Sequence, residues 1–166
     1  MPYAVIRTDN MAGTDVRAQL VSIEYLGANG ATPTEIENGC ILKMNGLKSG
    51  EREIYVGATP AANTAIRDLV IVATPEVMYD EHKHNLDEYV NEAGKICRGY
   101  RFHSGSTFGL TADGFDGTPA VGKFVEAQAG TKMKVVTSVT SGSTEIGKII
   151  AEENAGRHTY FVVEVK

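Results

Sequence analysis

Turn dipeptides ending in glycine punctuate this chain, clustered in its first fifty residues and again from residue 113 onward. Asn29-Gly30, Asn38-Gly39, Asn45-Gly46, Asp113-Gly114 and Asp116-Gly117 each offer residues that tolerate positive φ, as tight chain reversals require. Ala129-Gly130, Ser141-Gly142 and Ala155-Gly156 add weaker breaks in the C-terminal third. Between the breaks lie β-branched and aromatic segments, at 3–7, 18–26, 40–44, 53–57 and 69–73, and then at 99–103, 107–111, 123–128, 133–136, 147–152 and 160–165. This punctuation predicts a mainly β fold, a sandwich or small barrel of short antiparallel strands. It contains no internal repeat and no linker, so residues 14–166 read as one domain. Residues 1–13 read as an N-terminal arm that orders against a neighbour.

Side-chain periodicity assigns faces to some of these strands. Val21, Ile23 and Tyr25 alternate with Ser22 and Glu24, the pattern of a half-buried strand. Leu69, Val70, Ile71 and Val72 are continuously apolar, which predicts a strand covered on both sides. Tyr100 and Phe102 share one face, with Arg101 and His103 on the other. One helix is predicted over 86–93, because Leu86, Tyr89, Val90 and Ala93 form an apolar stripe at helical spacing. Asn85 and Glu88 fit a capping box, Asp87 suits the positive N-terminal end, and Gly94 suits a C-terminal stop.

Composition narrows the function. Lys+Arg 16 against Asp+Glu 21 leaves a net charge of -5, with no basic field for nucleic acid or an anionic membrane surface. No apolar run approaches the ~20 residues of a membrane-spanning helix, and the first ten residues lack the cationic and apolar segments of an export signal. Cys40 and Cys97 stand apart, without metal-ligand spacing, and read as buried or partly buried free thiols in a reducing compartment, with a disulfide as the alternative.

Candidate chemistry is sparse. His82 and His84, beside Asp80 and Glu81, superficially suggest nitrogen and oxygen metal ligands. On a helix, however, positions two apart do not share a face, and no later ligand completes a recognisable spacing, so no metal and no cofactor is expected. Ser104-Gly105-Ser106-Thr107 reads as a polar turn rather than a nucleophile elbow or a phosphate loop. His103 and His158 are isolated, and no framework for nucleophilic catalysis is visible. A stacking platform of Tyr100, Phe102 and Phe108 for sugars competes with ordinary core packing, and a glycan-binding β module is the alternative from another functional class.

A family resemblance lies in the middle of the chain. Pro75-Glu76-Val77-Met78-Tyr79-Asp80-Glu81, Asn85-Leu86-Asp87-Glu88-Tyr89, Asn91-Glu92-Ala93-Gly94-Lys95 and Arg98-Gly99-Tyr100-Arg101 resemble small structural proteins of tailed bacteriophages, most closely head decoration proteins. The resemblance continues through Ser104-Gly105, Phe108, Thr111, Gly122 and Ala129-Gly130-Thr131-Lys132, and covers roughly half the chain. It implies a non-enzymatic, β-rich protein made in the host cytoplasm that adds to the outside of an assembled capsid. The implied partner is the major capsid protein; similar proteins often act as homo-oligomers, as trimers at local threefold positions. Within virions, a head-fibre, tail or adaptor component is the alternative. On this reading the N-terminal strand carrying Tyr3, Val5 and Arg7 would add to a capsid sheet edge, with main-chain hydrogen bonds providing affinity.

Overall fold

The computed structural model describes residues 3–8, 19–80, 82 and 85–166. Five strands, β2 (Leu20–Tyr25), β3 (Ile41–Leu47), β4 (Ile54–Ala58), β5 (Leu69–Val72) and β6 (Ile96–Arg101), close into a barrel in the order β2-β4-β3-β5-β6. Among the described residues, seven further strands form an open sheet. They are β1 (Ile6–Arg7), β7 (Thr107–Thr111), β8 (Phe115–Asp116), β9 (Phe124–Glu126), β10 (Met133–Val136), β11 (Glu145–Ala155) and β12 (His158–Val165), in the order β1-β7-β12-β11-β9-β10-β8. The mainly β expectation therefore holds, and each predicted strand has a counterpart; only the two-residue β8 lacked one.

The barrel is narrow, and its lining is chosen accordingly. Val21, Ile23, Leu42, Val70, Val72 and Cys97 cluster together. Gly57 and Gly99 keep the walls close: a Cβ on Gly57 would lie 3.0 Å from both Ile23 Cγ1 and Leu42 Cδ1, and one on Gly99 would lie 3.0 Å from Val21 Cγ2. Neither position has room for a side chain without displacing a packed neighbour.

β5 is the structural hinge pin between barrel and sheet. Its four residues are all fully buried, but they serve two cores. Val70 and Val72 belong to the barrel cluster, whereas Leu69 and Ile71 pack with Ile41, Tyr100 and Phe102 against Phe108, Leu110, Ile146, Ile149 and Val163. This is the two-faced strand that the unbroken apolar run predicts. Tyr100 and Phe102 turn inward together, with Arg101 half-buried and His103 exposed on the other side.

Three expectations need correction. The helix predicted over 86–93 is a single 3-10 turn, Leu86–Glu88, after which Tyr89 is extended at φ -81, ψ 133. The Glu88 carboxylate does accept a hydrogen bond from the Asn85 N–H at 3.0 Å. The chain cannot continue as a helix because Asn91 is claimed elsewhere. Its N–H and C=O bond to Ile36 at 3.0 and 2.9 Å, and its side chain donates to Ile36 O and Asn38 Oδ1. The strands are also not all antiparallel: β2 runs parallel to β4, and β8 parallel to β10. Finally, Asp113-Gly114 is no left-handed reversal. It lies in a 3-10 turn, Ala112–Gly114, where a Cβ on Gly114 would meet Leu110 Cγ at 2.6 Å.

Candidate docking surface

The residues expected to meet a partner sit at one margin of the open sheet. β1 pairs antiparallel with β7, Ile6 opposite Leu110 and Arg7 opposite Gly109. Ahead of β1, the Val5 N–H donates to Thr111 Oγ1 at 3.0 Å and its C=O accepts from the Thr111 N–H at 3.0 Å. Val5 is only 2% exposed, so neither its side chain nor its main chain is free for a partner. Arg7 is likewise engaged, by the Glu153 carboxylate at 3.0 Å and by the face of Tyr160, 5.4 Å from the ring centroid. Tyr3 is half-buried and its N–H donates to Asp87 O at 2.9 Å. By the alternation of antiparallel ladders, the main chain of Ile6 faces away from β7, but Ile6 is itself buried, so the accessible part of this margin is the half-buried Tyr3 side chain. Residues 1, 2 and 9–13 of the predicted arm lie outside the described residues.

The 3-10 turn is drawn into the same margin. Asp87 Oδ1 accepts a hydrogen bond from Arg157 at the tip of the β11–β12 hairpin, at 3.1 Å. Around it, residues 75–80 form no helix or strand and present Tyr79, 92% exposed, with Val77 and, on the turn itself, Leu86 also exposed. Behind them lies a buried amide network. Asn38 Oδ1 accepts from the Thr74 N–H and the Asn91 side chain, Asn38 Nδ2 donates to Thr74 O, and the Tyr89 hydroxyl donates to Asn91 Oδ1. Burial pushes the Tyr89 hydroxyl above its ordinary range. A network with every member bonded stiffens the loop that it supports.

The other singled-out side chains do not converge. His82 is exposed, with its N–H capped by Asp80 Oδ1 at 2.9 Å; Glu81 and His84 lie outside the described residues. Among the described residues no three His, Cys, Asp or Glu side chains are grouped to hold a metal ion, and no helix is long and apolar enough to cross a membrane. Cys40 and Cys97 are both buried free thiols, and burial pushes each up to about 11.

Two buried carboxylates escaped the sequence reading. Glu126, 1% exposed, accepts from the Thr140 N–H and hydroxyl, both at 2.8 Å, with Lys134 Nζ at 3.8 Å. Glu24, on the supposedly solvated face of β2, is 4% exposed and ion-paired with Lys48. Nothing local to either residue marks it, since each partner comes from another strand or loop. Comparison of the chain with protein-family models, with curated proteins and with solved structures finds no match.

Proposed function

We propose that the protein is a non-enzymatic structural component of a phage virion, one that binds the outside of an assembled capsid and stabilises it. The observation that carries this reading is the resemblance over residues 75–132. The residues that bear it serve architectural roles. Asn85 and Glu88 close the 3-10 turn, Asn91 anchors the buried amide network, Gly99 and Tyr100 lie on the barrel wall, and Thr131 O accepts from the Ile41 N–H at 2.7 Å. A protein whose role is to bridge neighbouring subunits needs rigidity and an accessible surface, and it favours the assembled shell because it binds the lattice more tightly than separate subunits. Oligomerisation, as a trimer in particular, would add avidity over a repeating lattice. The margin around Tyr3, held from beneath by Val5 and Arg7, is the docking surface of this proposal.

The test is cosedimentation of the full-length protein with undecorated heads, followed by heat challenge of the decorated particles. Binding to assembled heads but not to free capsid subunits, with heads that release their genome at higher temperature, is the expected outcome. Removing residues 1–10 is a poor probe, because it deletes β1 and exposes the buried core beneath Val5 and Ile6. Tyr3→Ala, which leaves β1 in place, is the better variant. Failure of the full-length protein to bind heads would overturn the capsid reading and direct attention to tail assemblies and glycan arrays.

A further inference from the structure

β11 extends well past its neighbour on one side. β9 pairs with Glu145, Gly147 and Lys148, and further main-chain bonds join Ile149 to Lys123 and Gly122. Beyond that point Ala151, Glu152, Glu153, Asn154 and Ala155 pair only with β12. Ala155 and His158 flank the two-residue turn Gly156-Arg157, in which Gly156 has φ 65 and Arg157 has no positive φ, the pattern of a type II′ hairpin. That turn sets the parity of the ladder. Ala155, Glu153 and Ala151 bond into β12, and the N–H and C=O groups of Glu152 and Asn154 point the other way. None of the described residues bonds these four groups, and Glu152, Glu153, Asn154 and Ala155 are all exposed.

We propose that this open edge receives an added β-strand from another protein, an extended segment in which basic side chains alternate with apolar ones. An unsatisfied strand edge is a template for pairing, and main-chain bonds supply the affinity of strand addition while alternate side chains supply the selectivity. The apolar component is set at the head of the slot, where Ile150 is 44% exposed and Val121 is 56% exposed. Val121 precedes Gly122, whose N–H bonds to Ile149 O, so both side chains border the place where β9 gives out. The basic component is set by Glu152, which has no ion pair among the described residues, whereas Glu153 is already held by Arg7. A second copy of this chain is the poorer occupant. Antiparallel pairing of 151–155 with itself sets Glu153 directly against Glu153, and like charges opposed across a ladder repel. The inference stands on the backbone edge and does not require the partner to be a capsid subunit.

The probes are fluorescein-labelled peptides of alternating Val-Lys and alternating Val-Glu, titrated against the whole protein by anisotropy, with amide exchange followed by NMR. The Val-Lys peptide should bind and slow exchange at Glu152 and Asn154 by about tenfold or more, leaving Glu153 unchanged. Glu152→Pro removes one outward N–H and spares the ladder to β12; it should weaken peptide binding at least about tenfold. Glu152→Lys keeps the main chain and should reverse the preference toward Val-Glu, a readout that holds even if the proline variant fails to fold. Equal binding of both peptides by the native protein, no binding of Val-Lys, or slow exchange at Glu152 and Asn154 in a peptide-free dimer would each overturn the proposal.

Discussion

Leu110 sits where the barrel and the sheet are pressed together, and it fixes the identity of two glycines. Its side chain has no solvent exposure. A Cβ at Gly114 would approach Leu110 Cγ, Cδ1 and Cδ2 at 2.6, 2.7 and 2.7 Å, about 1 Å inside the ~3.5–4.0 Å optimum for carbon contacts. Gly114→Ala alone should cost about 1–3 kcal/mol by overpacking. Leu110→Ala alone should cost about 2–5 kcal/mol, the transfer term plus the cavity left behind. In the double variant the overlap disappears and the new methyl fills part of that cavity. The pair should then cost no more than Leu110→Ala, with a coupling of about 1–3 kcal/mol. Urea titrations with unchanged m-values give the four free energies. Additivity within about 0.5 kcal/mol would refute the steric account. Gly39→Ala provides a contrast: its Cβ would collide with Leu110 Cδ1, but its φ of +84 remains strained for alanine, so removing Leu110 should rescue it only in part.

Further expectations concern single groups. Glu126→Ala should destabilise by about 1–3 kcal/mol and speed exchange at the Thr140 amide, whose N–H and hydroxyl both depend on that carboxylate. Cys40 and Cys97 keep their protons in the fold up to about pH 11, whereas unfolded thiols lose theirs near 9. The folded state therefore binds more protons between those values, and stability should fall as pH rises from 9 toward 11. Denaturant midpoints across that window, compared with those of a Cys40→Ala/Cys97→Ala variant, check the slope; an equal slope without the thiols would assign it elsewhere. Leu86→Ala should change stability by less than about 1 kcal/mol, because the side chain is 43% exposed on a 3-10 turn. A larger thermal shift would mean that this turn packs more tightly than its exposure indicates.

Sequence by itself determined where the strands lie and which of them are buried on two sides. Turn dipeptides and β-branched runs located the ladders to within a few residues, and the unbroken Leu69, Val70, Ile71, Val72 run marked the strand shared by two cores. Those signals are local, since the alternation of side chains is a property of the strand itself. Tertiary structure decided everything that depends on a distant partner. The parallel pairing of β2 with β4, and with it the closed barrel, joins strands separated by β3 in the chain. Residues 86–93 carry a sound helical stripe, yet Asn91 satisfies its backbone and side chain on Ile36 and Asn38, and a single marginal turn cannot compete with that bonding. Glu126 reads as a surface carboxylate until Thr140 folds over it. The open edge of β11 follows the same rule: local pattern indicates a strand, and only the early end of β9 leaves Glu152 and Asn154 unpaired.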